Sequence, residues 1–303
     1  MVTFTYFCIM KYKISNTVKQ QEYLKACKLS ETGYSNKEII EKTLFPTWRV
    51  LEFYMYKHNL KLPFINMPRK HESNNNFFNE LSSFSNAYLL GVTYADGCIY
   101  NNHRFGFCLS KQDEELIDYI KENICPSAIK KEIINTKGAM NRQSQIQLRI
   151  TNYRIVKTLK EKWGVYERKT LNSGLIFPDI EKRYLWNFIL GINDGDGCIY
   201  YAKNKGLRIT ICMTDLPFMT KLRDFLVSEG INISLYTRHG KTCKYYLLST
   251  SNNNSALTFC QKIYETPEFY LKRKFKKYQE YCKFKNKDNT ELSSTITKGV
   301  ETV

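Results

Sequence analysis

Leu89 to Tyr100 reads LLGVTYADGCIY, and Ile189 to Tyr200 reads ILGINDGDGCIY. Asp96, Gly97, Cys98, Ile99 and Tyr100 recur as Asp196, Gly197, Cys198, Ile199 and Tyr200. A match of this length within one chain marks an internal repeat, and the repeat decides the architecture. Each copy is followed by the same series of patterns. After the first come Arg104 to Ser110 (RFGFCLS) and a helical stretch, Glu114 to Asn123. After the second come Leu207 to Thr214 (LRITICMT) and Leu216 to Glu229. Leu207, Ile209, Ile211 and Met213 alternate with Arg208, Thr210 and Cys212, the period-two pattern of a strand with one buried face. Gln145 to Thr151 (QIQLRIT) alternates likewise, and Ile231 to Arg238 and Cys243 to Thr250 take its place in the second copy. Each repeat thus reads as helix, β-hairpin, helix, β-hairpin, helix, an α+β unit.

Within the motifs, Gly91 and Ala95 are four residues apart, as are Gly191 and Gly195, so each pair shares one helix face. A helix-interior glycine costs roughly 1 kcal/mol relative to alanine, and close approach of two helices is the gain that offsets it. Asp96 and Asp196 each precede a glycine suited to a helix C-cap. Packed side by side and parallel, the two helices would bring both carboxylates to the negative ends of two helix dipoles. That arrangement repels itself unless cations intervene, and hard divalent ions, Mg²⁺ above all, suit such oxygen ligands. The alternative is that each aspartate makes only a local turn into the next strand.

Composition is consistent with a nucleic-acid partner. Lys and Arg number 46 against 29 Asp and Glu, a formal charge of +17, and a basic excess favours polyanions through counterion release. Hydrophobic residues make up 43%, enough for a packed core. The ten cysteines form no CxxC pair. Cys98, Cys108, Cys198 and Cys212 lie in apolar runs and read as small buried hydrophobes of a reducing compartment, not as disulfides or a zinc site. His58, His71, His103 and His239 have no metal-ligand spacing. Met1 to Met10 is apolar but too short to span a membrane and lacks a basic leader; Met10, followed by Lys11 and Lys13, is an alternative start. The expectation is an intracellular protein of cytoplasm or nucleoid, in a bacterial or phage host or an organelle, with no membrane partner.

LLGVTYADG and ILGINDGDG resemble the paired signature motifs of LAGLIDADG homing endonucleases in their monomeric, two-repeat form, over about residues 77–285. The resemblance implies a saddle of two pseudo-symmetric αββαββα halves with the motif helices at the interface and two antiparallel sheets in the major groove of double-stranded DNA. It implies that Asp96 and Asp196 bind the catalytic metal, Mg²⁺ with Mn²⁺ as substitute, at a metal site that also includes Ala95 and Gly195. KTLNSGLIFP (residues 169–178) and YLKRKFKK (residues 270–277) resemble the family's lysine-bearing stretches. By that alignment Lys169 and Lys274 lie near the scissile phosphates; Arg168, Lys272 and Arg273 are competing assignments, and a solvated basic face is the alternative. The sixth motif position, often acidic in the family, is Asp194 in the second copy but Tyr94 in the first, an asymmetry that leaves room for a weakened first site. Gln145, Gln147, Arg149, Arg208 and Thr210 are candidates to read bases, since Gln and Arg suit bidentate contacts.

Residues before about 65 lie outside the repeat. Helical patterns near Val18 to Lys28, from the capping box Ser35-Asn36-Lys37-Glu38, and from Pro46-Thr47 to His58 resemble a helix-turn-helix unit; a small helical cap is the alternative. The expected organisation is a helical unit at 1–65, a linker at 66–79, repeats at 80–180 and 181–285, and a disordered tail at 286–303. The reading that follows is a Mg²⁺-dependent, site-specific DNA endonuclease, with an RNA-splicing maturase acting on a host intron or a non-cutting DNA-binding regulator as its rivals.

Overall fold

The computed structural model describes residues 15–62, 73–134, 144–171, 174–203, 206–240 and 243–300, with side chains described to residue 286. Met1 to Met10, His71 and residues 66–72 of the expected linker lie outside the described residues. The chain divides into two compact units, Met1–Glu72 and Ser73–Val303.

Among its described residues the first unit has three helices, α1 (Asn16–Glu31), α2 (Asn36–Lys42) and α3 (Trp48–Lys57). The capping box forms as its sequence requires: the Ser35 hydroxyl accepts from the Glu38 amide, and Glu38 accepts from the Ser35 amide at 2.7 Å. Tyr23, Ala26, Ile39, Phe45, Leu51 and Met55 close a core of the unit's own.

The second unit holds both repeats. The first runs α4 (Phe84–Ala95), β1 (Cys98–Asn101), β2 (Arg104–Ser110), α5 (Glu114–Ile124), β3 (Lys130–Ile134), β4 (Ser144–Thr151) and α6 (Tyr153–Glu161). The second runs α7 (Lys182–Asp196), β5 (Gly197–Ala202), β6 (Gly206–Met213), α8 (Leu216–Ser228), β7 (Ser234–His239), β8 (Lys244–Thr250) and α9 (Asn253–Ile263). Both sheets are antiparallel and four-stranded with the same order, β1-β2-β4-β3 and β5-β6-β8-β7. A last helix, α10 (Lys272–Val300), follows. The α+β architecture of two αββαββα repeats is therefore present as the pattern predicts.

Strand alternation turns Ile99, Phe105, Phe107, Leu148 and Ile150 inward in one sheet and Ile199, Leu207, Ile209, Ile211 and Leu248 inward in the other. All join one core with the buried motif helices. The same alternation corrects the reading of the cysteines. Cys98, Cys108 and Cys198 are exposed and Cys212 is half-buried, because each occupies the register position opposite to its inward neighbours. Cys98, Cys108, Cys198 and Cys212 are all free thiols.

Two boundaries also move. Residues 73–79 belong to the repeat unit rather than to a linker: Phe77 and Phe78 are buried, the Asn74 amide donates to Ile124 O at 2.9 Å, and Trp163 Nε1 donates to Phe78 O at 2.7 Å. These two aromatic side chains outweigh the polar asparagines around them. The stretch from Asn286, expected as a disordered tail, continues α10 as helix to Val300, since that helix is already nucleated at Lys272 and propagation costs less than nucleation.

Candidate active site

The motif helices meet at their glycines. A β-carbon on Gly91 would lie 2.1 Å from Phe188 O, and one on Gly191 would lie 2.0 Å from Tyr88 O. Four residues on, a β-carbon on Gly195 would lie 2.3 Å from Ala95 Cβ and 2.7 Å from Asp96 Oδ2. Contacts advance in the same direction along both helices, so α4 and α7 run parallel and their C-terminal ends converge. Asp96, the residue that caps α4, thus stands against the last turn of α7, which ends at Asp196.

Gly97 and Gly197 do not act as left-handed caps. Neither has positive φ, and Gly197 is extended, with φ −94° and ψ 162°. They serve as space: a β-carbon on Gly97 would lie 2.6 Å from Thr93 O, and one on Gly197 2.6 Å from Asn193 O. The chain therefore leaves each helix directly into a strand.

Two lysines cap the converging helix ends. Lys169 Nζ donates to Thr93 O at 2.9 Å, and to Tyr94 O and Ala95 O at 2.6 Å. Lys274 Nζ donates to Asn193 O, to Asp194 O at 2.7 Å and to Gly197 O at 2.6 Å. A cation at a helix C-terminus is favourable, and here each one also favours the ionised form of the carboxylates. Two of the rival basic residues are engaged elsewhere. Arg273 donates to both oxygens of Asp113 at 2.6 and 2.8 Å, and Lys272 pairs with Glu115 at 2.7 Å. Arg168 is the neighbour of Lys169 held at φ 54°.

The lysines do not fully offset the charge at the helix ends. Burial, then the Asp96 charge, push the Asp196 carboxyl up to about 6, against the pull of Lys169 and Lys274. Burial raises Asp96 as well, again against both lysines. Burial lowers the Lys169 ammonium to about 8, against the attraction of Asp196 and Asp96, and lowers Lys274 too. Desolvation is thus the largest influence on all four groups, which leaves an acidic pair that would gain from added positive charge. A cavity of about 140 Å³ lies beside it, lined by Asp196, Lys169, Cys212 and Tyr245 among others.

Two carboxylates with nearby carbonyls form a hard-oxygen donor set. Among the described residues no cluster of three or more His, Cys, Asp or Glu side chains could hold a metal. A two-carboxylate set suits Mg²⁺, which keeps several waters and takes further oxygens from phosphate; it does not suit a protein-enclosed Ca²⁺ or Zn²⁺ site. Ala95 O is already an acceptor for Lys169, so the carboxylates are the main donors this chain offers.

Residues 184–264, from inside α7 to just beyond α9, match the family model of the LAGLIDADG-like domain. The chain carries a LAGLIDADG-like domain. No curated protein matches the chain. Among solved structures, full-length DUF199/WhiA from Thermatoga maritima is similar at 13% identity and a TM-score of 0.45, over 78% of this chain and 74% of that one. I-DmoI in complex with DNA and Mn is similar at 18% identity and a TM-score of 0.39, over 62% and 99%. The LAGLIDADG meganuclease I-AabMI bound to uncleaved DNA is similar at 16% identity and a TM-score of 0.44, over 67% and 91%.

The sixth motif position acts alike in the LAGLIDADG-like domain and in the first repeat, despite its different residues. Asp194 Oδ2 accepts from Tyr88 OH and from the Leu271 amide, both at 2.9 Å. The Tyr94 hydroxyl shares its one proton between Trp163 O and Ile176 O, both at 2.8 Å. Each side chain therefore fastens the segment that carries one capping lysine, and neither faces the carboxylate pair as a ligand. Asp113 and Asp215 went unremarked in the sequence, although each follows its repeat's second strand. Asp215 accepts from the Gly174 amide at 2.6 Å and the Leu175 amide at 3.0 Å, which fixes the segment after Lys169; Asp113 holds Arg273 beside Lys274.

The base-reading candidates all fall on the sheet faces turned away from the core. Gln145, Gln147 and Arg149 share the open face of the first sheet, and Arg208 and Thr210 that of the LAGLIDADG-like domain. Sequence reading missed Lys131 and Tyr236 on the edge strands, which pair across from Gln147 and Leu247.

Lys274 is 5% exposed, so replacing it strands three carbonyl acceptors in a buried place. Lys274→Met is expected to destabilise the protein by about 1–3 kcal/mol, measured by urea unfolding at neutral pH. A loss below a few tenths of a kcal/mol would show that the cap contributes nothing.

Proposed function

We propose that the protein is a divalent-metal-dependent endonuclease that hydrolyses phosphodiester bonds in duplex DNA at specific sites. The observation that carries this is the acidic pair: two carboxylates brought to the ends of parallel helices, both raised by burial and Asp196 also by the charge of Asp96. A protein that only bound DNA would have no use for that unfavourable arrangement, which argues against a silent regulator. The LAGLIDADG-like domain and the net charge of +17 support DNA as the substrate. An intron RNA shares the phosphate charge, but the open sheet faces are suited to a wide major groove, which A-form RNA does not offer.

Asp96 and Asp196 would hold the metal, which when bound supplies Lewis acidity and a water of lowered pKa. The residues of the chain do the rest. Both carboxylates accept positive charge only when ionised, so Asp196 must lose its proton for the site to load. Lys169 and Lys274 keep the helix ends from repelling each other and hold positive charge near the reacting phosphate, where negative charge grows. The three-helix N-terminal unit is read as a helix-turn-helix element, with exposed Arg49, Phe53, Tyr56 and Lys57 on α3 as its DNA-facing side.

The test is incubation of the full-length protein with a plasmid library carrying randomised inserts. Double-strand breaks at a shared sequence are expected in Mg²⁺ and none in chelator. Tight duplex binding without breaks in Mg²⁺ or Mn²⁺ would replace the nuclease reading with the regulator.

A further inference from the structure

The open faces of the two sheets correspond row by row, because strand order is the same in both and, apart from a bulge between Ile99 and Asn101 in β1, so is the register. Cys98 pairs with Gly106, which faces Arg149; Cys198 pairs with Thr210, which faces Ser249. Arg149 therefore corresponds to Ser249. One step along, Cys108–Gln147–Lys131 corresponds to Cys212–Leu247–Tyr236. In the next row Gln145 corresponds to Tyr245. The cysteines repeat, but the residues beside them change class: Gln, Gln, Lys and Arg on one sheet, Leu, Tyr, Tyr and Ser on the other.

We propose that the two sheets read their halves of a DNA site by different chemistry, the first by hydrogen bonds to single purine edges and the second by apolar contact with thymine methyl groups. This rests on the duplex-DNA reading above. The first face is prepared for directional contacts. The Arg149 guanidinium lies 5.0 Å from the Tyr100 ring centre, which holds its planar fork, and Cys108 Sγ donates to Gln145 Oε1 at 3.5 Å. Gln and Arg can each make two parallel bonds to an adenine or guanine edge in the major groove. Leu247 cannot, and Tyr236, which is 45% exposed, offers a ring and one hydroxyl. The apolar major-groove feature that such side chains can meet is the thymine methyl, so the second half-site favours A·T pairs without fixing each position sharply.

Three positions limit the asymmetry. Gly106 corresponds to Thr210, so there the second sheet carries a hydroxyl where the first carries no side chain. Arg104 corresponds to Arg208, so each sheet keeps an arginine in its outer row, suited to phosphate. Ile133 corresponds to Arg238, which runs the other way; that guanidinium lies 5.6 Å from the Tyr236 ring centre at the end of the edge strand.

The experiment is selection of bound duplexes from a library of randomised sequence by the full-length chain, followed by sequencing, for wild type and Gln147→Leu. Wild type is expected to enrich sites with one half of sharp single-base preferences and another of general A·T preference. Gln147→Leu, at a solvent-facing position, is expected to flatten one sharp position by about tenfold or more, with the A·T half unchanged. Gln145→Tyr is the second variant should the first fold poorly in a thermal melt, and the same flattening is expected. Equal sharpness in both halves, or a profile that neither variant alters, overturns the inference while leaving the DNA reading intact. Absence of any duplex binding overturns both.

Discussion

Asp196→Asn is expected to reduce DNA cleavage on the order of a thousandfold or more, the scale of losing several kcal/mol of transition-state charge stabilisation. Duplex binding is expected to hold or tighten, because one negative charge leaves the DNA-facing surface. Asp96→Asn is expected to act likewise, since the Asp96 carboxylate lies against α7 at Gly195 and its charge acts on Asp196. Stability should move the other way. The folded-state pKa of Asp196 is raised to about 6 from 3.8, so its ionisation opposes folding at pH 7, and that penalty fades as pH falls from 6 towards 3.8. In chelator at pH 7.5 the asparagine variant is therefore expected to be more stable, by on the order of 2 kcal/mol or less after solvent screening. At pH 4 the difference should be small. Cleavage by wild type should fall below pH about 6 as Asp196 protonates, and above about 8 as Lys169 loses its charge. An Asp196→Asn enzyme cutting within a fewfold of wild type would remove the carboxylate pair from the chemistry.

Gly191→Ala and Gly91→Ala are expected to be among the most damaging single substitutions in the protein. In an ordinary helix the change would gain about 1 kcal/mol. Here the added carbon would lie 2.0 Å from Tyr88 O or 2.1 Å from Phe188 O. Both obstacles are backbone atoms of the opposing helix, which cannot rotate aside, so the two helices must separate. Overpacking commonly costs about 1–3 kcal/mol, and a shift of two helices buried over most of their length belongs at or above about 3 kcal/mol. Separation would also draw Asp96 and Asp196 apart, so cleavage should fall more steeply than stability. The check is urea unfolding beside single-turnover cleavage below the unfolding range. A stable, active Gly191→Ala protein would mean that the helices do not approach this closely in solution.

The parts of the fold that local sequence could show were those governed by period and repetition. The alternation at Leu207 to Met213, the glycine spacing and the recurrence of Asp-Gly each report a backbone geometry directly, and both sheets and the helix pair follow from them. The capping lysines were a harder case. Lys169 and Lys274 lie in basic runs, and nothing in Arg168 or Arg273 differs from them by composition. What separates them is which side chain reaches the carbonyls at the end of a helix far away in sequence, and that depends on Tyr94 and Asp194 fastening the lysine-bearing segments. The exposure of Cys98 and Cys198 was hidden because an apolar run such as CIY gives no sign of which face each residue takes until the strand's partners are known. Phe77 and Phe78 were hidden by the asparagines beside them, although two adjacent phenylalanines were the signal that could have placed that segment in the core. The contrast between the sheets depends on register, since Gln147 and Leu247 correspond only once β4 and β8 are paired with their neighbours.

The most direct measurement is an anomalous-difference map from crystals of the full chain grown with Mn²⁺ and a bound duplex. A manganese peak within bonding distance of both Asp96 and Asp196 carboxylates, beside the DNA backbone, is the predicted result. Carboxylates that stand apart, or manganese bound only elsewhere, would contradict the account.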